Sequence, residues 1–162
     1  MRQDIKVLRD LFETEEDEQV ELNRRATEDL SYIASQLRYG LFHNVNYRSL
    51  QREGEKLCDF LVIGHDLAKS KKAVFPSQHI KFNDEEGQKV KMYVAVVTYE
   101  NDKAKNTYLF DGALFKKAGL LSIFGMDKKK GVASVDLSNN PKLEKYSFGR
   151  VVESFGGGSR GT

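Results

Sequence analysis

Over the first forty positions apolar residues recur at spacings of three and four, and beyond them they fall in alternation or in short continuous runs. That change of period predicts helices first and strands afterwards. Ile5, Leu8, Leu11 and Phe12 lie at helical spacing within 4–12. Thr14 with Asp17 three residues later resembles a capping box in an acidic first turn, so a second helix is expected to begin there. Its stripe runs through Leu22, Ala26, Leu30, Ile33, Ala34 and Leu37, and Gly40 supplies the stop.

After Gly40, Phe42, Val45 and Tyr47 mark a short strand, and Arg48 to Lys56 reads as a polar connection. A stronger strand follows at Leu57 to Ile63. Ala73 to Phe82 is a strand that Pro76 interrupts. Asp84-Glu85-Glu86-Gly87 is a turn signal, and Met92 to Tyr99 is the most β-prone run, read as a central strand. Asn101-Asp102 opens a polar loop, Thr107 to Asp111 is a strand, and Gly112 turns the chain into a short helix or irregular apolar segment over Ala113 to Leu121. Val132 to Leu137 and Phe148 to Phe155 read as a final pair of strands joined at Ser138 to Pro141. The order predicts an α+β fold with N-terminal helices packed on a mostly antiparallel mixed sheet. One domain covers 1–155, with 1–20 as a separable arm and 156–162 as a flexible tail. The expected core is Leu30, Ile33, Leu37, Phe60, Val62, Val94, Val96, Leu109 and Val135, each on a periodic apolar face.

Composition narrows the chemistry. In 162 residues, 40% hydrophobic and 31% charged, no stretch reaches the roughly 18 apolar residues of a membrane span, so no membrane partner is expected. The single cysteine, Cys58, forms no intrachain disulfide and is expected in the core; a reducing, cytoplasmic setting fits it. The two commonest glycine-rich phosphate cradles are absent, as is the Gly-x-Ser-x-Gly elbow, and His43, His65 and His79 lack zinc-hydrolase spacing. No cofactor is expected on these grounds. Net charge is only +2, but the signs are segregated: Glu13 to Glu18 is acidic, whereas Lys69, Lys71 and Lys72, and the triplet Lys128, Lys129 and Lys130, are basic. These six lysines are the candidate phosphate contacts of a nucleic-acid-binding surface, with tyrosines such as Tyr93 and Tyr146 to stack on bases. The Leu22 to Leu37 helix and the apolar Phe110 to Phe124 segment are the candidate faces for another protein subunit or for self-association.

One arrangement carries metal chemistry. Asp59 opens the apolar run Phe60 to Ile63, and Lys81 ends Gln78 to Lys81; paired in a meander, the two meet. A strand carboxylate beside a lysine on the next strand is how metal-dependent nucleases hold Mg²⁺ and polarise the attacking water or phosphate. At these residues the chain resembles the PD-(D/E)xK restriction-endonuclease-like superfamily over about residues 25 to 110, with Glu28 in the leading helix, Asp59 in DFLVI and Lys81 in HIK. The resemblance implies a helix before an antiparallel meander, and DNA binding or cutting. It makes Asp59 the metal ligand, Lys81 the polarising residue and Glu28 the helix carboxylate, with His79 where the family has Glu or Gln and Mg²⁺ as the cofactor. The sequence leaves open whether the chain is an enzyme. It points to an accessory or protein-interaction domain with nucleic-acid association, and a divergent nuclease is the alternative.

Overall fold

The computed structural model of the chain describes residues 2–43, 47–80, 92–116, 123–138 and 141–160, with the backbone alone for 2–16, 43, 79 and 156–160. In chain order the elements are α1 (Arg2–Gln36), β1 (Gly40–His43), β2 (Arg48–Arg52), β3 (Glu55–Asp66), β4 (Lys72–Pro76), β5 (Met92–Glu100), β6 (Lys103–Asp111), α2 (Ala113–Lys116), β7 (Phe124–Asp127), β8 (Val132–Asp136) and α3 (Phe148–Arg160). Short 3₁₀ turns span Ser77–His79 and Pro141–Tyr146. Among the described residues no helix is long and apolar enough to cross a membrane.

The two expected N-terminal helices are one. Thr14 and Asp17 sit within α1, where the neighbouring glutamates are good helix formers that carry the helix through. The stop also differs from expectation. Arg38, at φ 66°, takes the left-handed position, with Tyr39 N–H donating to Ala34 O at 2.8 Å and Arg38 N–H to Ser35 O at 3.0 Å. This is a Schellman closure two residues before Gly40. It leaves Leu37 beyond the helix and 37% exposed, so Leu37 is not core.

The described strands form two sheets, ordered β1-β2-β3-β5-β6 and β4-β8-β7. Only β3 and β5 pair in parallel. The expected polar connection over Arg48 to Lys56 is instead β2, a turn and the start of β3. Glu53 (φ 54°) and Gly54 (φ 82°) make a two-residue turn in the left-handed backbone region, a conformation that matches the right-handed twist of the flanking strands. Asn101 (φ 53°) and Asp102 (φ 63°) do the same between β5 and β6, so the expected loop is a tight turn and β6 begins at Lys103.

The sheets and helices stack in three layers, with the five-stranded sheet in the middle. Alternation along β5 sends Tyr93, Ala95, Val97 and Tyr99 toward α1 and α3, and Val94 and Val96 toward the smaller sheet. Burial on both faces explains why this strand reads as a continuous apolar run. Of the expected core, Leu30, Phe60, Val94, Val96, Leu109 and Val135 are fully buried, while Ile33 and Val62 are half-buried against it. Cys58 is buried as expected. Phe148 to Phe155 is helix, not strand: Phe148, Val151, Val152 and Phe155 follow the 3.6 period and close the helical layer. β7, which the sequence left inside an apolar segment and a lysine turn, pairs with β8.

What joins α1 to the sheet is a close approach at Gly64. Asn23 Oδ1 accepts the Gly64 N–H at 2.8 Å, and Gln19 Nε2 donates to Gly64 O at 2.9 Å. A Cβ at position 64 would lie 2.5 Å from Leu22 O and 2.8 Å from Leu22 Cγ. We therefore expect Gly64→Ala to displace the helix and to cost about 1–3 kcal/mol in urea unfolding. An unchanged midpoint would show that the helix is not held at this point.

Candidate functional site

Alternation along β3 turns Cys58 and Phe60 toward α1 and sends Asp59 to the opposite face of the sheet, with Leu61. Asp59 is 6% exposed. Ser49, its register partner on β2, donates Oγ–H to Asp59 Oδ1 at 2.7 Å, and Lys56 Nζ stands 3.4 Å from Oδ2. Each carboxylate oxygen thus has a partner in the protein, and the group pins β2 to β3.

Of the remaining nuclease-type positions, Glu28 does not join it. Glu28 is exposed on α1, paired with Arg24 along the helix, and α1 covers the face of the sheet opposite Asp59. The expected meander is not formed either. The partners of β3 are β2 and β5, whereas the next strand in sequence, β4, belongs to the other sheet. His79 ends the 3₁₀ turn after β4, and Lys81 lies outside the described residues. Among the described residues no group of three or more His, Cys, Asp or Glu side chains converges on a point where a metal ion would bind.

The candidate phosphate contacts divide into two groups. Lys69 is ion-paired with Glu18 at 3.1 Å, Lys71 lies at the start of the smaller sheet, and Lys72 is in register with Asp136. Hydrogen bonds from Ser138 hold the Asp136 carboxyl below the usual carboxylate range, and Lys72 adds to the effect. Lys128, Lys129 and Lys130 form the β7–β8 turn, where Asp127 Oδ1 accepts the backbone N–H groups of Lys129 at 3.0 Å and Lys130 at 3.1 Å. The register of β4 with β8 puts these groups at opposite ends of the smaller sheet, beyond the two ends of a paired stretch about 13 Å long at roughly 3.3 Å per residue. The tyrosines expected to stack on bases are occupied. Tyr93 is buried edge-to-face with Phe155 at 5.4 Å, and Tyr146 packs on Phe110 at 5.3 Å and Phe124 at 5.6 Å. The described part of the Phe110 to Phe124 segment fills the space between the sheets, with Phe115 5.0 Å from Phe124.

Sequence reasoning missed a polar clamp between α1 and the β5–β6 turn. Tyr99 O–H donates to Asp29 Oδ2 at 2.6 Å, and the Arg25 guanidinium lies 4.6 Å from the centre of the Tyr99 ring. Arg25 also donates to Asp102 Oδ1 and to Asp102 O, both at 2.7 Å. The only local signal was the four-residue spacing of Arg25 and Asp29. A cleft of about 650 Å³ was also unforeseen; it is lined by Leu67, Lys71, Lys105, Tyr108, Leu143 and Glu144, among others. Lys105 is bonded to Glu100 at 2.6 Å, so the charges at this cleft are largely balanced within the protein. Burial pushes the Tyr108 phenol up.

No family model, curated protein or solved structure matches the chain.

Two outcomes follow from these contacts. Asp59→Ala should cost about 1–3 kcal/mol in urea unfolding, because Ser49 loses its partner in a buried setting, and Asp59→Asn should cost less. Equal stability of wild type and Asp59→Ala would remove Asp59 as a pin. Burial first, and then the bond to Asp29, hold the Tyr99 phenol above its usual value of about 10. The folded state therefore keeps a proton that the unfolded chain releases, so this stabilisation is full below about pH 10 and declines as the pH rises further. Tyr99→Phe should lower stability by about 1–2 kcal/mol at neutral pH and flatten the alkaline decline, leaving the share due to Tyr108. An alkaline slope identical to wild type would sink the assignment.

Proposed function

We propose that the chain is a protein-interaction domain that engages another subunit through the N-terminal half of α1. The observation that carries this reading is the position of the sheet along the helix. α1 has 35 residues, about 52 Å at roughly 1.5 Å per residue, and among the residues whose side chains are described, 17–36, its contacts with the five-stranded sheet run from Gln19 to Ala34. Residues 2–18 continue the helix for about another 26 Å on the N-terminal side of that contact. Most helical stability in proteins comes from packing of an apolar face rather than from propensity. Its sequence carries Ile5, Leu8 and Phe12 at spacings that continue, through Gln19, the Leu22, Ala26 and Leu30 stripe. Such a stripe is what another subunit buries.

Nucleic-acid association, the second part of the sequence expectation, draws on the lysines alone, which stand in two separated groups with carboxylates beside Lys69 and Lys72. The nuclease alternative keeps Asp59 as its one buried acidic position. Neither has the support that the helix gives to protein interaction.

The test is whether the N-terminal stripe belongs to the domain's own core. In the full chain at submicromolar concentration, Leu8→Asp with Phe12→Asp should leave the urea midpoint within about 0.5 kcal/mol of wild type, whereas Leu30→Asp should unfold the domain. A loss of several kcal/mol at Leu8 and Phe12 would place the stripe in the core and end this reading.

A further inference from the structure

We infer that the cleft beside Tyr108 binds a small uncharged molecule with a ring-shaped apolar body and an amide-like edge. The cleft lies on the face of the five-stranded sheet opposite α1, so this does not depend on the reading of that helix. The argument starts from how the space between the sheets is filled. Phe75, Phe110, Phe115 and Phe124 meet edge to face there. Tyr108 continues their layer, stacked on Phe110 at 5.7 Å, and among the described residues no second ring meets it. The layer stops at Tyr108, and beside it lies the cleft of about 650 Å³, within the usual range of ligand pockets, roughly 300–1,000 Å³. Buried Leu67, Leu137 and Leu143 give it apolar walls. A ligand ring against Tyr108 would extend the aromatic layer by one member.

The inward face of the sheet turns polar at the same place. On β5, Val94 and Val96 are followed by Thr98, and on β6, Phe110 and Tyr108 give way to Asn106. A β-bulge makes the change. Val97 is in register with Thr107 and Tyr99 with Ala104, so Lys105 and Asn106 share the place opposite Thr98, and all three line the cleft. Thr98, 1% exposed, fixes the bulge: its Oγ1 accepts the Asn106 N–H at 3.0 Å and donates to Asn106 O at 3.2 Å. Bulges re-aim side chains and are over-represented next to active sites. The cleft also lies at the carboxyl ends of the one parallel pair among the described strands, with Leu67 just after β3 and Thr98 near the end of β5. That end of parallel strands is where open sheets hold ligands.

The lining sets the chemistry of the ligand. Lys105 is bonded to Glu100; Lys105 first, and then Lys71, hold the Glu100 carboxyl below the usual carboxylate range. Glu144 adds an opposite charge on the far wall, so no single sign is left over for an ion. What the protein leaves unused is uncharged. Among the described residues no hydrogen bond engages the Asn106 side-chain amide or the Tyr108 and Ser147 hydroxyls. These groups both donate and accept, as an amide edge does.

Titration of the ¹⁵N-labelled full chain with benzamide, benzoate and benzylamine, which share a ring and differ in charge, tests this by backbone amide NMR at neutral pH. Benzamide should bind saturably in the millimolar range, as its size allows, with the largest shifts at Leu67, Tyr108 and Leu143. Benzoate and benzylamine should bind about tenfold more weakly or not at all. Tyr108→Phe keeps the ring and loses only the hydroxyl, so its spectrum should remain that of the folded chain while its benzamide dissociation constant rises about two- to tenfold. Absence of saturable benzamide binding, shifts centred outside the cleft, a charged probe that binds as tightly as benzamide, or an unchanged constant for Tyr108→Phe would each overturn the inference.

Discussion

The pairing of β2 with β3 stops at Arg48 opposite Phe60, β3 runs on to Asp66, and over that stretch its outer edge has no strand beside it among the described residues. Backbone groups on a covered strand edge need partners, because an unmet N–H or C=O costs about as much as a lost hydrogen bond. Asn23 and Gln19 meet this need at Gly64, and they can do so because glycine lets the helix backbone come within reach. That contact sets the height and direction of α1. Leu22, Ala26 and Leu30 then fall over the sheet, and Tyr99 and Asp102 come within reach of Asp29 and Arg25. The helical layer is therefore positioned by polar contacts to strand and turn backbone and held by apolar burial behind them.

The other face follows from the parallel pairing of β3 with β5. The chain has to leave the sheet and return between them, and the excursion includes β4, which joins the smaller sheet rather than forming a hairpin with β3. β5 is then covered on both sides. Phe75, Phe110, Phe115 and Phe124 fill the gap between sheets with edge-to-face contacts at 5.0–6.4 Å. Asp59 lies where β2 and β3 carry this face, and it is partnered by Ser49 and Lys56.

The α+β class was legible because its strongest signals are local. The Leu22 to Ala34 stripe and the Met92 to Tyr99 run each declare one element and one burial pattern. The errors came where one local pattern has two meanings. Val151 and Val152, adjacent and flanked by aromatic residues, suit a strand as well as a helix turn, and only packing of the segment against the sheet, with Phe155 edge-to-face on Tyr93, decides it. Glu53-Gly54 looked like part of a polar connection because charged neighbours on half-exposed β2 and β3 hid the alternation. Asp59 was legible as an unusual acid in an apolar strand, but its partner depends on a register that brings Ser49 opposite. The Tyr99–Asp29 bond joins positions 70 residues apart and leaves no trace in local spacing.

Seen as a mechanical part, α1 is a lever held near its middle. The Gln19–Asn23 grip on Gly64 is the fulcrum, the stripe from Ala26 to Ala34 is the loaded arm, and the helix turns before Glu18 form the other arm. A sideways force on those first turns reaches the domain as torque at β3. The Arg25–Asp102 and Tyr99–Asp29 bonds stand just beyond the fulcrum, on the loaded side.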